Sequence, residues 1–119
     1  MVEPALIILA ALCIKHFFAD FMLQFPYMIE QKGTYGAEGG IHHATIHAAF
    51  TFMILSFTMH PFMMISLAAL DGILHYHIDW AKMNAGKGLT PADKKFWVWI
   101  GFDQLLHMFT YILIVGILF

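Results

Sequence analysis

LDGILHYHIDW, Leu70–Trp80, sets two aspartates and two histidines into a run that otherwise has the residues of a buried helix. FMMISLAAL runs into it and AKM follows. Asp71, His75 and Asp79 recur every four residues, so on a helix they climb one face. His77 stands two residues from His75 and turns away from that face. An apolar helix carrying such a stripe needs partners for it, and they have to come from elsewhere in the chain.

Composition says what surrounds that helix. The chain of 119 residues is long enough for a single domain, 1–119. It is 61% hydrophobic and 12% charged, whereas a soluble domain is about half apolar and a quarter charged. Its basic residues are lysines only, and a net charge of −2 offers nothing to a nucleic acid. Cys13 is the lone cysteine and has no intramolecular disulfide partner.

Four apolar segments follow, at about 4–25, 40–60, 62–83 and 95–119, each near the ~20 residues that span a bilayer. The first carries Lys15, His16 and Asp20 and lacks a basic start and a small-residue cleavage site, so it reads as a resident helix and not as a signal peptide. FPYMIEQKGTYGAEGG and NAGKGLTPADKK separate the helices, and His60-Pro61 marks a tight turn. In the last separator Thr90 reads as an N-cap, Pro91 as the first helical residue and Asp93 as a first-turn acid. The expected fold is all-α: an integral-membrane four-helix bundle, antiparallel, up-down-up-down. A soluble bundle is disfavoured because almost no polar helix face is left to meet water. Lys32 and Lys87 lie in the two long loops, with Lys82, Lys94 and Lys95 flanking the second. The positive-inside rule then puts both loops in the cytoplasm and both termini outside. The partners expected are the lipid bilayer and a second copy of the chain.

Each segment also carries ionisable residues four apart: His16 and Asp20, His43 and His47, His75 and Asp79, Asp103 and His107. At ~1.5 Å per residue these groups fall roughly 5–18 Å below the cytoplasmic helix ends, so alternation brings all eight toward one layer. Insertion scales charge roughly 2.5–3.5 kcal/mol per aspartate at a helix centre. Structural zinc sites release on the order of 10–16 kcal/mol, enough to offset four of them. Imidazole and carboxylate suit zinc, manganese, iron and nickel, and two ligands from each of four helices is how bundle cores hold two metals. The expected cofactor is one or two divalent transition-metal ions, zinc foremost, held by these eight residues.

The remaining polar residues divide by depth. Lys15 lies too deep to reach the surface and calls for a buried partner such as Asp71. Asp71 itself reads either as a further ligand or, with Lys15, as a catalytic group. Gln24 and Gln104 are placed to orient ligands, and His42 to line an entrance. Lys82, Lys94 and Lys95 sit at headgroup level, where they could hold an anionic group. Trp80, Trp97, Trp99, Tyr27 and Tyr76 fit an aromatic belt. Outward of the layer the helices offer only Thr51, Ser56, Thr58, His60, Ser66, Thr110 and Tyr111.

KHFFADFMLQ, HHATIHAAF, HYHIDWAK and FDQLLHMF resemble, in order, the H-x-x-A-D-F-x-x-Q, H-x-x-x-H, H-x-x-x-D and D-Q-x-x-H motifs of a family of small bacterial and phage integral-membrane proteins, a domain of unknown function. The resemblance covers nearly the whole chain. It implies a four-helix protein of a bacterial or phage-encoded inner membrane, and no activity. The residue types are also similar to those of membrane-bound metal-dependent hydrolases, and the HxxxD pair to the zinc site of cation-diffusion transporters.

Three functions compete: a metal-dependent hydrolase acting on a membrane-associated or phosphate-containing substrate, a divalent-metal or proton transporter, and a non-catalytic protein stabilised by its metal. The stripe Asp71, His75, Asp79 continues outward through Leu67 and Met63–Met64, which favours a site with one mouth over a path. Haem or histidine-box redox chemistry matches neither the spacings nor the aspartates. Reporter fusions at either terminus test the orientation: both should report outside, and cytoplasmic signals from both would overturn it.

Overall fold

Residues 2–57 and 60–119 are described by the computed structural model. Thr58, counted above among the outward polar residues, lies outside them. All regular structure among the described residues is helical: α1 (Val2–Phe17) continued by a π-helical turn (Phe18–Met22), α2 (Pro26–Gln31), α3 (Glu38–Leu55), α4 (Pro61–Ala85) and α5 (Lys94–Leu118).

Local chemistry sets the boundaries. Pro26 and Pro61 open α2 and α4, where a fixed φ suits the first turn and a missing N–H costs nothing. His60 caps α4, its Nδ1 accepting the Phe62 N–H at 3.2 Å. Three boundaries differ from the sequence reading. The second long helix ends at Leu55, well short of His60, and Ser56 Oγ donates to the Met53 carbonyl at 2.6 Å where the chain leaves it. A short helix, α2, occupies part of the first separator. The last helix begins at Lys94 and not at Pro91. Asp93 turns its carboxylate back to accept the Thr90 N–H at 2.8 Å. That side chain-to-backbone bond makes residues 90–93 a turn in place of a first helical turn.

The long helices close a ring: α1 packs on α3 and α5, α4 packs on the same two, and α2 lies on α3. Neighbours contribute opposite ends to each level. At one end Ile8 and Leu12 of α1, Leu55 of α3, Met64 and Leu67 of α4, and Tyr111 and Ile114 of α5 form one buried cluster. Toward the other end the later part of α1, the start of α3, the later part of α4 and the start of α5 bring in the histidines and aspartates. Polarity is therefore inverted. Lys15, Asp71, His47 and His75 are buried, while Leu6, Ile7, Phe21, Phe62 and Ile65 are exposed. Glu3–Met22 and Lys94–Leu118 are long and apolar enough to cross a membrane.

The α2–α3 contact depends on a missing side chain. A Cβ at Gly39 would stand 2.6 Å from the Tyr27 carbonyl oxygen and 2.8 Å from Gln31 Cβ, and the Gly39 N–H donates to Gln31 Oε1 at 2.7 Å. Gly39→Ala should cost ~1–3 kcal/mol by overpacking. Gly101→Ala, whose Cβ meets nothing within 4 Å, should gain up to ~1 kcal/mol of helix propensity. Thermal unfolding in mild detergent checks both, and a Gly39→Ala protein as stable as the parent would refute the close-packing account.

A candidate metal centre

The centre is assembled around two carboxylates. Asp20 sits in the π-helical turn, which the Leu23 N–H closes onto the Phe18 carbonyl at 2.9 Å. The turn's i→i+5 bonding widens the helix there. Asp20 Oδ1 lies 2.8 Å from His47 Nε2, 3.1 Å from His43 Nε2 and 3.7 Å from His75 Nε2. Its Oδ2 lies 3.1 Å from His16 Nε2. Asp79 is divided in the same way. Its Oδ2 is 3.2 Å from His75 Nε2 and 3.3 Å from His43 Nε2, and its Oδ1 is 3.2 Å from His107 Nε2. His43, His47, His75 and His107 are at most 1% exposed. Their rings are stacked across helices, His47 on His75 at 3.6 Å and His75 on His107 at 4.0 Å between centroids.

Two groups have donor atoms close enough to share an ion: Asp20, His43, His47 and His75, and His75, Asp79 and His107. Their spacing can be tested against an ion. Zinc–nitrogen and zinc–oxygen bonds of ~2.0–2.2 Å in a tetrahedron put neighbouring ligand atoms roughly 3.3–3.5 Å apart. In the first group the separations from Asp20 Oδ1 are those above, and His43 Nε2 lies 3.1 Å from His75 Nε2. These values bracket the tetrahedral edge. Asp79 Oδ2 and Asp103 Oδ1 are buried without a hydrogen-bond partner among the described residues. Asp79 Oδ2 has imidazole nitrogens at 3.2 and 3.3 Å and the Lys32 ammonium at 3.4 Å around it, surroundings in which a cation would be welcome. The residues suit a divalent metal.

All eight residues proposed as ligands from the sequence meet at this level, but not equally. His16 is held at both nitrogens, with Nδ1 2.7 Å from the Tyr111 hydroxyl and Nε2 2.7 Å from Gln104 Oε1. Asp103 Oδ1 stands 3.4 Å from His107 Nε2, and its Oδ2 accepts from Gln104 Nε2 at 3.0 Å. Both flank the two groups and belong to neither. Asp71, considered as a ninth ligand, is engaged elsewhere. Its Oδ2 pairs with Lys15 Nζ at 2.6 Å and accepts from Thr51 Oγ1. Lys15 Nζ in turn lies 2.9 Å from His47 Nδ1, so the ion pair backs a ring of the centre from the apolar side.

Lys32 was missed as a site residue. It reads as a loop charge, yet it is 6% exposed. Its ammonium donates to Gln24 Oε1 at 2.8 Å and stands 3.4 Å from Asp79 Oδ2. Its signal was Gln24, eight residues back and itself flagged. His42 is exposed on Tyr27, with Nδ1 3.1 Å from the hydroxyl. His77 is exposed on Tyr35, with Nε2 2.9 Å from the hydroxyl. Lys94 and Lys95 are exposed at the start of α5 and do not line the cavity that reaches the centre, which takes Lys82 together with Lys32 and Lys87.

Fold and site together define an all-helical chain with histidines and aspartates gathered in its interior. The chain belongs to the family described as Protein of unknown function (DUF3307), which matches residues 8–119. No curated protein and no solved structure matches it.

The Lys15–Asp71 pair generates its own test. Removing one partner strands a buried charge, at a cost of ~3–5 kcal/mol, whereas replacing both with apolar residues is often neutral. Lys15→Met should therefore lower the melting temperature strongly, and Lys15→Met combined with Asp71→Leu should recover most of the loss. A double variant no better than the single would show that Lys15 acts through His47 and not through Asp71.

Proposed function

We propose that this protein is a four-helix antiparallel membrane protein whose interior holds two divalent metal ions, zinc foremost, and that it is a metal-dependent hydrolase acting on a membrane-associated, phosphate-containing substrate. The observation that carries the reading is the convergence of His43, His47 and His75 Nε2 on Asp20 Oδ1 in a protein with an apolar exterior. The long dimension, 44 Å, matches the ~40–45 Å of a bilayer with its headgroups. α3 and α4 carry His43, His47, Asp71, His75 and Asp79, all buried, and these residues lower the hydropathy of two helices that also expose Ile41, Phe52, Ile65 and Ile73.

In this reading one ion takes Asp20, His43, His47 and His75. The other takes Asp79 and His107, with Asp103 and His16 alongside. The two oxygens of Asp20 and of Asp79 turn toward different imidazoles, so each carboxylate could serve either group. Such ions polarise a phosphoryl or acyl oxygen and make a water acidic. Asp103, which lines the cavity and keeps Oδ1 free of a hydrogen bond, would take and return a proton. Lys15 and Asp71, candidates for that role from sequence, are shut beneath His47. They act by holding its ring, as groups behind a ligand do.

One-sided access favours hydrolysis over transport. Leu67 and Met64, which continue the α4 stripe, are buried in the apolar cluster with Leu12, Leu55 and Ile114, and that cluster blocks a path beyond the site.

Elemental analysis of protein purified in mild detergent should find metal at one or two equivalents. His75→Ala and Asp79→Ala should lose it and melt roughly 10 °C or more lower, the shift expected of ~3 kcal/mol. His77→Ala should keep its metal. The same proteins in sealed vesicles with a metal-sensitive dye, assayed beside hydrolysis of lipid phosphates, separate the activities. Hydrolysis lost in Asp79→Ala, without flux in either protein, supports the enzyme. Gradient-driven flux lost in that variant replaces it with a transporter. Metal without either activity leaves a structural centre.

A further inference from the structure

The cavity that ends on the centre has a volume of about 580 Å³, within the ~300–1,000 Å³ range of small-molecule sites. Its floor is formed by Asp20, Asp103 and Gln104, and its mouth by the α4–α5 loop at Gly86, Lys87 and Gly88. Three ammonium groups line it, graded by depth. Lys32 is buried at the floor, Lys82 is half-buried on the last turn of α4, and Lys87 is exposed at the mouth. Lys32 is already shared between Gln24 and Asp79. Neither Lys82 nor Lys87 makes an ion pair among the described residues. Among the charges that act on Lys82, Lys32 repels it and Asp103, Asp79 and Asp20 attract it. The acids of the cavity, Asp20 and Asp103, lie at its floor and neither forms an ion pair with Lys82 or Lys87 among the described residues, which leaves these two ammonium groups a place for an anion nearer the mouth. The rest of the lining is apolar, with Phe21, Ile29, Leu89, Phe96, Trp99 and Ile100 along the wall.

We propose that this cavity binds the phosphate group of an amphiphile, with Lys82 and Lys87 gripping the phosphate, Lys32 steering it toward the floor and the apolar wall taking the attached chain. This names the substrate class of the hydrolase reading and rests on that reading for the use made of the ligand. The lysine grip itself requires no metal. Lysine suits such a group as a compact charge that tolerates several approach directions. An acidic ligand without tails would leave the wall unused, and an uncharged lipid would leave two lysines unmatched.

The probes are dihexanoyl phosphatidic acid, dihexanoylglycerol and inorganic phosphate, titrated calorimetrically into protein in a maltoside detergent. Phosphatidic acid should bind at least tenfold more tightly than either of the others. Lys82→Gln and Lys87→Gln should each weaken it about tenfold, the effect of one lost charge-assisted hydrogen bond, and Lys94→Gln should leave it unchanged. Equal affinity for inorganic phosphate, equal affinity for the diacylglycerol, or unchanged binding in both lysine variants overturns the proposal. Repeating the titration on chelator-treated protein that keeps its helical circular dichroism separates the two readings. Lysine-dependent binding that persists there upholds the cavity even if the metal centre fails. Binding that vanishes with the metal and ignores the lysines assigns the phosphate to the ions, and the lysine site falls.

Discussion

The carboxylate of Asp20 takes an imidazole from its own helix, two from α3 and one from α4, and nearly everything else in the structure follows from satisfying it. A carboxylate withdrawn from water requires donors or a cation on every side. A single helix presents neighbours only along one face, so the donors have to come from the helices around it. His16 on one oxygen and His43, His47 and His75 near the other tie the end of α1 to the start of α3 and the later part of α4. Asp79 repeats the arrangement with His43, His75 and His107, and so ties α3 and α4 to α5. Two acids thus set the ring order and the relative heights of all four long helices. With so many large apolar side chains on the outside, apolar burial alone gives little register, and inward polar contacts supply it instead.

The π-helical turn is part of the same constraint. His16 and Asp20 are four residues apart, and in an undisturbed α-helix they would already share a face. The turn leaves that pair in contact at 3.1 Å and ends at Met22. The chain then breaks into α2, whose end delivers Lys32 to Asp79. The wide turn and the buried lysine thus stand on either side of the break between α1 and α2.

That explains which parts were legible in the sequence. Spacings of four inside apolar runs are read directly from helical geometry, and they brought His16, Asp20, His43, His47, His75, Asp79, Asp103 and His107 together as a set. The Lys15–Asp71 pair was legible too, because a lysine that deep has few other options. Burial of Lys32 was not. A lysine in a glycine-rich separator has the same local sequence whether it points to solvent or into a cavity, and only the α2 fold-back decides. Tyr111 and Thr51 were read as weak outward polar residues. Each instead supports the centre from the apolar side, Tyr111 through His16 Nδ1 and Thr51 through Asp71. A hydroxyl that satisfies one buried partner carries no periodic signature. The start of the last helix was misplaced because Thr-Pro-x-Asp fits an N-terminal turn and a free-standing turn equally well, and the Asp93 side chain settles which one forms.

The division of polarity along the bundle bears on what such a centre is good for. Beyond Lys15 and Asp71 the interior becomes Leu12, Leu55, Leu67 and Ile114, with no buried charged group among the described residues there, and the Tyr111 hydroxyl turns back toward His16. On the other side the lining passes through Gln24, Gln104 and three lysines to an exposed loop. An ion or proton crossing the protein would have to leave its ligands for the apolar side, where a bare charge costs several kcal/mol or more. A ligand entering from the lysine side meets charge of the opposite sign first and the carboxylates last. On the proposed reading, metal ions held by these residues would reverse that final repulsion, and an anion admitted by the lysines would be complementary to them. Each would make room for the other at the floor of the cavity lined by those lysines, which would suit chemistry on a bound phosphate better than passage.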